Sequence, residues 1–153
     1  MAAVEGRDYV FARKMTYNGT QGVGKGCLVG TGELLLQLPV KTMKGKGRYV
    51  QDRDWFLDDK PVLQELENRL NDPDIRPGDL SSMLREVAGS MEGTELVDFA
   101  KVRRLKVKTS FFSRGIYTSE KSGGPGWRAF PLKKQDAKAF QKFYEGHPAT
   151  MGG

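Results

Sequence analysis

Residues 102–144 read VRRLKVKTSFFSRGIYTSEKSGGPGWRAFPLKKQDAKAFQKFY, and this stretch decides the fold that we expect. Hydrophobic and charged residues alternate over Val102–Thr109, as in a half-buried strand. A second strand is expected from Phe111 or Phe112 to Thr118, and a third over Trp127–Leu132, with a glycine-rich loop between them. From Lys133 to Glu145 the spacing of apolar residues becomes helical. The stretch therefore predicts three strands followed by one amphipathic helix.

The predicted C-terminal helix has one strongly apolar face. Ala137, Phe140 and Tyr144 are spaced i, i+3 and i+7, and Phe143 lies beside them. Because residues at this spacing share one side of a helix, we expect this face to be buried. Residues 149–153 are expected to form a disordered tail.

The first third of the chain predicts three more strands. Apolar residues occupy alternate positions within Asp8–Tyr17, and the following Asn18-Gly19 pair is a strong turn signal. Residues 27–29 and 34–38 then read as two strands joined by a tight turn, and we expect Pro39 to end the second of them.

Residues 41–92 differ from the rest of the chain. They begin with a basic, glycine-rich loop, after which Asp58 or Asp59 can cap a helix with leucines at 63, 66 and 70. Asp79 is expected to cap a second helix. The apolar stripe of this second helix is formed by Leu80, Met83, Leu84 and Val87. We therefore expect a helical hairpin over residues 59–88, followed by a short strand over Glu95–Phe99.

Two stretches carry a resemblance to a known family. The sequence GCLVGTGELLL at 26–36 is similar to the G-x-L-x-x-T-x-x-x-L-x-F hairpin that opens many pleckstrin-homology (PH) and GRAM-like domains, and residues 95–143 resemble the second half of such domains. The resemblance implies an α+β fold, a seven-stranded antiparallel sandwich or barrel closed by the C-terminal helix, with Phe140, Phe143 and Tyr144 as the plug. We expect one domain over residues 1–148, in which residues 41–92 are a two-helix acidic insertion without a counterpart in the family.

The scarcity of cysteine and histidine excludes several classes of site. The chain has 153 residues, of which Cys27 is the only cysteine and His147 the only histidine. It therefore has too few cysteines for a disulfide framework or a multi-cysteine metal site, and the sequence shows no recognisable set of catalytic residues. We expect a protein that is not an enzyme and that binds no cofactor and no metal. Without a long apolar run or a signal-like N-terminus, we expect it to be cytoplasmic or peripheral at a membrane.

Charge is distributed unevenly along the chain. The net charge is +6, but residues 1–51 carry +5, residues 52–98 carry −8 and residues 99–153 carry +9. In an extended strand, Arg104, Lys106 and Lys108 share one face, and three neighbouring cations favour an anionic partner. That partner is either an external ligand or the acidic helices of the same chain. The predicted ligand-binding residues are Lys25, Arg103, Arg104, Lys106, Lys108 and Arg114.

The segment GTQGVGKG at residues 19–26 nearly matches a nucleotide-binding P-loop. Gly26 stands where the motif needs the serine or threonine that binds Mg²⁺, and a strand is expected to follow instead of a helix. We therefore interpret the glycines at 22, 24 and 26 as a flexible loop. The resemblance implies a weaker use, because this loop often binds phosphoinositide headgroups in PH domains; here it offers Lys25 alone.

Five aromatic residues near the basic strand allow two interpretations. They are Phe111, Phe112, Tyr117, Trp127 and Phe130. Aromatic rings beside a basic groove can stack on the bases of single-stranded nucleic acid, but rings at strand spacing usually belong to the core. We expect them to be core.

The leading functional hypothesis is a non-enzymatic binding or scaffolding domain that engages a protein partner or a phosphate-bearing ligand. The protein partner, or a second copy of the chain, would use the helical hairpin at 59–88. The phosphate-bearing ligand would be an anionic lipid headgroup or a nucleic acid. The alternative is a nucleic-acid-binding module that uses the basic strand face. The third hypothesis is a nucleotide-dependent enzyme that uses the glycine-rich loop.

Overall fold

The computed structural model describes residues 2–19, 22–43, 56–58, 60–90, 94–121 and 127–151. Within these ranges the strands are β1 (Val10–Gly19), β2 (Gly22–Gly30), β3 (Leu34–Met43), β4 (Phe56–Asp58), β5 (Glu95–Asp98), β6 (Val102–Lys108), β7 (Gly115–Glu120) and β8 (Arg128–Pro131). The helices are α1 (Lys60–Leu70), α2 (Leu80–Gly89), α3 (Lys134–Phe143) and α4 (Pro148–Met151), with short 3₁₀ turns at Pro77–Asp79 and Phe99–Lys101.

The strands form two antiparallel sheets. In the first sheet β1, β2 and β3 are consecutive neighbours, and β4 and β5 pair with opposite ends of the free edge of β3. The second sheet has the order β6-β7-β8. The predicted α+β class with antiparallel sheets is confirmed. Among the described strands no hydrogen-bonded ladder joins the two sheets, so they do not form a closed barrel.

The first sheet is the middle layer of the molecule. Side chains on one face of this sheet, such as Val10 and Leu28, contribute to an inner core shared with the second sheet and α3. Side chains on its other face, such as Phe11 and Val29, contribute to a second core shared with α1 and α2. Because side chains alternate across a strand, one sheet can serve both cores. The acidic helices and the second sheet therefore lie on opposite faces of the first sheet.

The helical hairpin forms as predicted and packs on its own chain. Its predicted stripes are buried against the first sheet, except that Leu63 is only partly buried. The sequence predicts that the hairpin engages a protein partner or a second copy of the chain, but its apolar stripes pack on the first sheet of the same chain. Asp79 precedes α2, but its carboxylate makes no capping hydrogen bond. The reason is that Asp79 itself has helical dihedrals as the last residue of the 3₁₀ turn.

Several strand boundaries differ from the prediction. Pro39 does not end β3, because the strand bulges beside it: Lys41 and Pro39 align with the adjacent residues Lys25 and Gly26 of β2, so Val40 is an extra residue in β3, and bulges tolerate proline. The strand continues to Met43, and its extension pairs with β4, where the sequence predicted a loop. Gly22–Gly26 is likewise part of β2 and not a loop.

The C-terminal helix is buried as predicted. Phe140 and Tyr144 have no appreciable exposure, and both belong to the inner core. The Tyr144 hydroxyl donates a hydrogen bond of 2.9 Å to the Thr31 carbonyl, which fixes the helix to the β2–β3 turn. The expected disordered tail is wrong for its first residues, since Pro148–Met151 forms α4, and Ala149 packs against the inner core.

Asp98 links the insertion to the first sheet and gives a pH-dependent prediction. Its carboxylate accepts hydrogen bonds from the Ala100 amide at 3.0 Å and from Arg85 Nη2 at 3.3 Å. The amide, and then Arg85, lower the pKa of Asp98. A lowered pKa stabilises the folded state above the ordinary carboxyl pKa, and this stabilisation is lost as pH falls through the folded-state pKa.

Replacing Asp98 with alanine is therefore expected to destabilise the protein at neutral pH by about 1 kcal/mol, as the loss of a capping carboxylate does. The difference from the parent chain should shrink as pH falls below about 4, where the parent carboxylate also becomes protonated. Urea unfolding at several pH values measures this. Asp79→Ala is the control, because that carboxylate caps nothing. A difference that stays constant with pH would contradict the assignment.

Candidate functional site

The predicted cationic side of β6 lies on the outer face of the second sheet. Leu105 is buried in the inner core, whereas Lys106 and Lys108 are exposed and Arg104 is half-exposed. We call Arg104, Lys106 and Lys108 the basic face. Strand alternation alone predicted it, and the structure confirms this placement.

Aromatic rings lie beside the basic face because of the sheet register. Tyr117 is directly opposite Lys106 on the neighbouring strand, and Ala129 continues the same row on β8. Lys106 Nζ lies 4.8 Å from the centre of the Trp127 ring, and Lys108 Nζ lies 5.0 Å from that of Tyr117. Each such contact contributes roughly 0.5–1 kcal/mol at an exposed site. The two lysines are therefore held over ring faces.

The turn between β6 and β7 carries two exposed phenyl rings. Phe111 is 78% exposed and Phe112 is 95% exposed, and Trp127 is 39% exposed. The expectation that these residues belong to the core is wrong, although it is confirmed for Phe130. The reason is that β7 begins only at Gly115, so the two phenylalanines lie in a turn and not in a strand.

Arg103, Arg114 and Lys25 relate differently to the basic face. Arg103 is exposed and lies at the register shift between Val102 and Arg104. Arg114 stands at the end of the turn, with its guanidinium carbon 5.9 Å from the centre of the Phe111 ring. Lys25 belongs to β2 of the first sheet, and its side chain lies outside the described residues.

The glycine segment around Lys25 is paired on both sides. Gly24 is aligned with Tyr17 of β1 and with Thr42 of β3. In a strand with a neighbour on each side, the backbone N–H groups donate to carbonyl groups of the two neighbouring strands, so they do not converge on a phosphate. This arrangement differs from a phosphate-binding loop, which needs free amides at the start of a helix.

The acidic helices do not cover the basic face. Glu67 pairs with Arg13 of β1 at 2.9 Å, and Glu65 and Glu86 both pair with Arg69 of the hairpin itself, at 3.4 and 3.9 Å. Within the described part of the chain, no carboxylate forms an ion pair with a cation of the basic face. The acids proposed to neutralise this face therefore lie on the other side of the first sheet.

A cleft of about 600 Å³ lies between β6 and the C-terminal helices. Lys106 and Lys108 line it from β6, Lys138 and Lys142 line it from α3, and Glu145 is the one carboxylate among its described lining residues. Lys138 and Lys142 are not among the residues predicted to bind a ligand. Their i, i+4 spacing places them on one side of α3, but only the packing of α3 beside β6 brings them to the cleft that Lys106 and Lys108 also line.

The groups that could serve catalysis are occupied structurally. Cys27 is buried, and burial raises the pKa of its thiol to about 12, so it is not a ready nucleophile. His147 accepts from the Ala149 amide through Nδ1 at 3.1 Å, so Nε2 donates to the Gly32 carbonyl at 2.7 Å. Among the residues described, no cluster of three potential metal ligands occurs.

In the described ranges, no helix is both long enough and apolar enough to cross a membrane. Comparison with protein-family models, with curated proteins and with solved structures gave no match. Functional assignment therefore depends on the chemistry of the basic face and its surroundings.

Proposed function

We propose that this chain is a non-enzymatic binding domain with a PH-like fold that engages a phosphate-bearing ligand through the basic face. The order of elements supports the fold. Strands β1, β2, β3 and β5 form one antiparallel sheet, β6, β7 and β8 form the other, and α3 packs into the core between them. The helical hairpin is then an insertion between β3 and β5.

The observation that carries the functional proposal is an uncovered row of like charges. Residues at i and i+2 in a strand are about 7 Å apart, so Arg104, Lys106 and Lys108 repel one another unless anions lie near them. The hairpin acids Glu65, Glu67 and Glu86 pair elsewhere, and Lys138 and Lys142 add positive charge at the adjacent cleft. Phosphate oxygens fit this arrangement, because arginine binds them bidentately and lysine supplies point charges.

The second candidate is a nucleic-acid-binding module on the same face. Tyr117 and Trp127 lie beside the lysines and are partly exposed. Proteins that bind single-stranded nucleic acid without sequence preference combine a basic groove with such aromatic rings. Both candidate functions require recognition of phosphate groups. They differ in whether these groups belong to a ligand such as a lipid headgroup or to the backbone of a nucleic acid.

The double variant Arg104→Gln/Lys106→Gln tests the shared part of the proposal. If each cation contributes about 1 kcal/mol near an anionic surface, the affinity should fall about thirtyfold while the melting temperature stays close to that of the parent. Binding is measured at low salt, both to vesicles that contain phosphatidylserine and to a single-stranded oligonucleotide.

The matched control is Arg69→Gln/Arg76→Gln, which removes the same charge from the helical hairpin. Its binding should remain close to that of the parent chain. Equal losses in both variants would mean that net charge, and not the basic face, determines binding. A parent chain that binds neither probe would overturn the proposed function.

A further inference from the structure

Two adjacent phenylalanines project from the turn between β6 and β7, at the end of the basic face. Single exposed apolar residues are common on protein surfaces, but an exposed apolar cluster marks an interaction surface. Phe112 is the most exposed large hydrophobic side chain described, and Phe111 follows it. Neither ring is buried by the fold that presents it, so the structure gives these side chains no role in the core.

The turn that presents the two rings is held in place by hydrogen bonds. The Ser113 amide donates to the Ser110 carbonyl at 3.3 Å, and the hydroxyls of the same two serines are 2.8 Å apart. The Tyr117 hydroxyl donates to the Ser113 carbonyl at 2.7 Å, which attaches the turn to β7. The phenyl rings are therefore presented on an ordered support.

Two cations flank this apolar tip. Lys108 precedes the turn and Arg114 follows it, with the Arg114 guanidinium near the Phe111 ring. Among the residues described, no carboxylate pairs with either cation. Apolar side chains that project from a turn with a cation at each end match the layers of an anionic bilayer surface, in which acyl chains lie beneath phosphate groups.

We propose that the turn at residues 109–114 inserts Phe111 and Phe112 into the surface of an anionic lipid bilayer, with Lys108, Arg114 and the basic face on the headgroup phosphates. The inference rests on the proposed function and identifies its ligand as membrane lipid. The apolar rings supply attraction that does not depend on salt, and the cations select anionic bilayers.

The ring geometry favours a bilayer over nucleic acid. The planes of Phe111 and Phe112 are 89° apart with centres separated by 5.2 Å, so the two rings do not present parallel faces to successive bases. Lys106 and Lys108 lie over the faces of Trp127 and Tyr117, where bases would otherwise stack. Insertion into acyl chains places no such requirement on ring orientation.

The first experiment compares binding to phosphatidylcholine vesicles with and without phosphatidylserine. The parent chain should bind the anionic vesicles, and Phe111→Ser/Phe112→Ser should bind them roughly thirtyfold more weakly, with an unchanged melting temperature. Val4→Ser is the control, because Val4 is also an exposed apolar residue but lies outside the turn.

The second experiment measures insertion directly. An environment-sensitive fluorophore is attached to Phe112→Cys, since buried Cys27 does not compete for labelling in the folded protein. Its emission should shift to shorter wavelength on anionic vesicles. The same label on Ser82→Cys should not shift, because Ser82 is exposed on α2, on the far side of the first sheet.

The outcomes separate this inference from the proposed function. If the serine variant binds anionic vesicles normally and the label at position 112 does not shift, insertion is wrong, whereas loss of binding in Arg104→Gln/Lys106→Gln would still support the basic face. If the chain binds a single-stranded oligonucleotide and not vesicles, the ligand is nucleic acid and the inference is overturned. If it binds neither probe, both proposals fail.

Discussion

Truncating Phe140 to alanine is expected to lower the free energy of unfolding by about 3–5 kcal/mol, the largest effect that we predict for a single side chain. Phe140 is fully buried in the inner core, where α3 packs against the sheets. Removing its ring leaves a cavity that the surrounding strands cannot collapse to fill, because they are fixed by their ladders. Urea unfolding of the parent and the variant measures the difference.

Phe112→Ala is the matched control for Phe140→Ala. It removes the same ring from a position that is almost fully exposed, and the expected change in unfolding free energy is within about 0.5 kcal/mol. An unchanged stability of Phe140→Ala would mean that α3 does not close the core. That result would also remove the main support for a PH-like arrangement.

Local periodicity was sufficient to predict most elements of the fold. The helical hairpin and α3 follow from apolar residues at i, i+3 and i+7, and β6 follows from alternation. These patterns depend only on the geometry of one element. They predict which side chains are buried without information about the partner surface.

The strand boundaries that were predicted wrongly depend on neighbouring segments of the chain. Pro39 stays within β3 because the strand bulges at Val40 relative to β2, and the pattern of one strand alone does not show where its pairing with a neighbour will shift. The sequence predicts a strand that starts at Phe111 or Phe112, although two adjacent residues of a strand point to opposite faces and cannot both be buried on one side. The serines on both sides of the pair, which favour turns, were the signal for the observed turn.

The candidate site also contains residues that local sequence patterns predict and residues that they do not. The basic face was predictable, since Arg104, Lys106 and Lys108 belong to one strand. Trp127 and Lys142 join it only through the register of the second sheet and the packing of α3. Residues distant in sequence are brought to the site by tertiary structure, for which a single sequence offers no direct signal.

The first sheet also separates the charges of the chain. Acidic residues of the hairpin pair with Arg13 and Arg69 on one face of the sheet, while the basic face lies beyond the other. If the acidic helices covered the basic face, neither an acidic nor a basic surface would be exposed to solvent. The separation leaves an acidic side and a basic side, and in the field of an anionic surface such a charge distribution would turn the basic side toward that surface.

The second large effect that we expect is at Gly30, where β2 passes the end of the C-terminal helix. A Cβ atom at this position would overlap the Tyr144 hydroxyl and lie 2.9 Å from Leu35 Cδ2. The hydroxyl cannot easily move, because it is buried and donates its hydrogen bond to the Thr31 carbonyl. Gly30→Ala is therefore expected to destabilise the protein by about 1–3 kcal/mol, as overpacking does.

Removing the obstructing atom should recover part of this loss. Tyr144→Phe alone is expected to cost about 1 kcal/mol, because the Thr31 carbonyl loses its donor. In the double variant the overlap with the hydroxyl is absent, so its destabilisation should be clearly smaller than the sum of the two single changes. Unfolding free energies of the four proteins measure this coupling, with Gly32→Ala as the control, since no atom lies within 4 Å of a Cβ there. Additive effects would mean that the close contact between β2 and Tyr144 does not exist in solution.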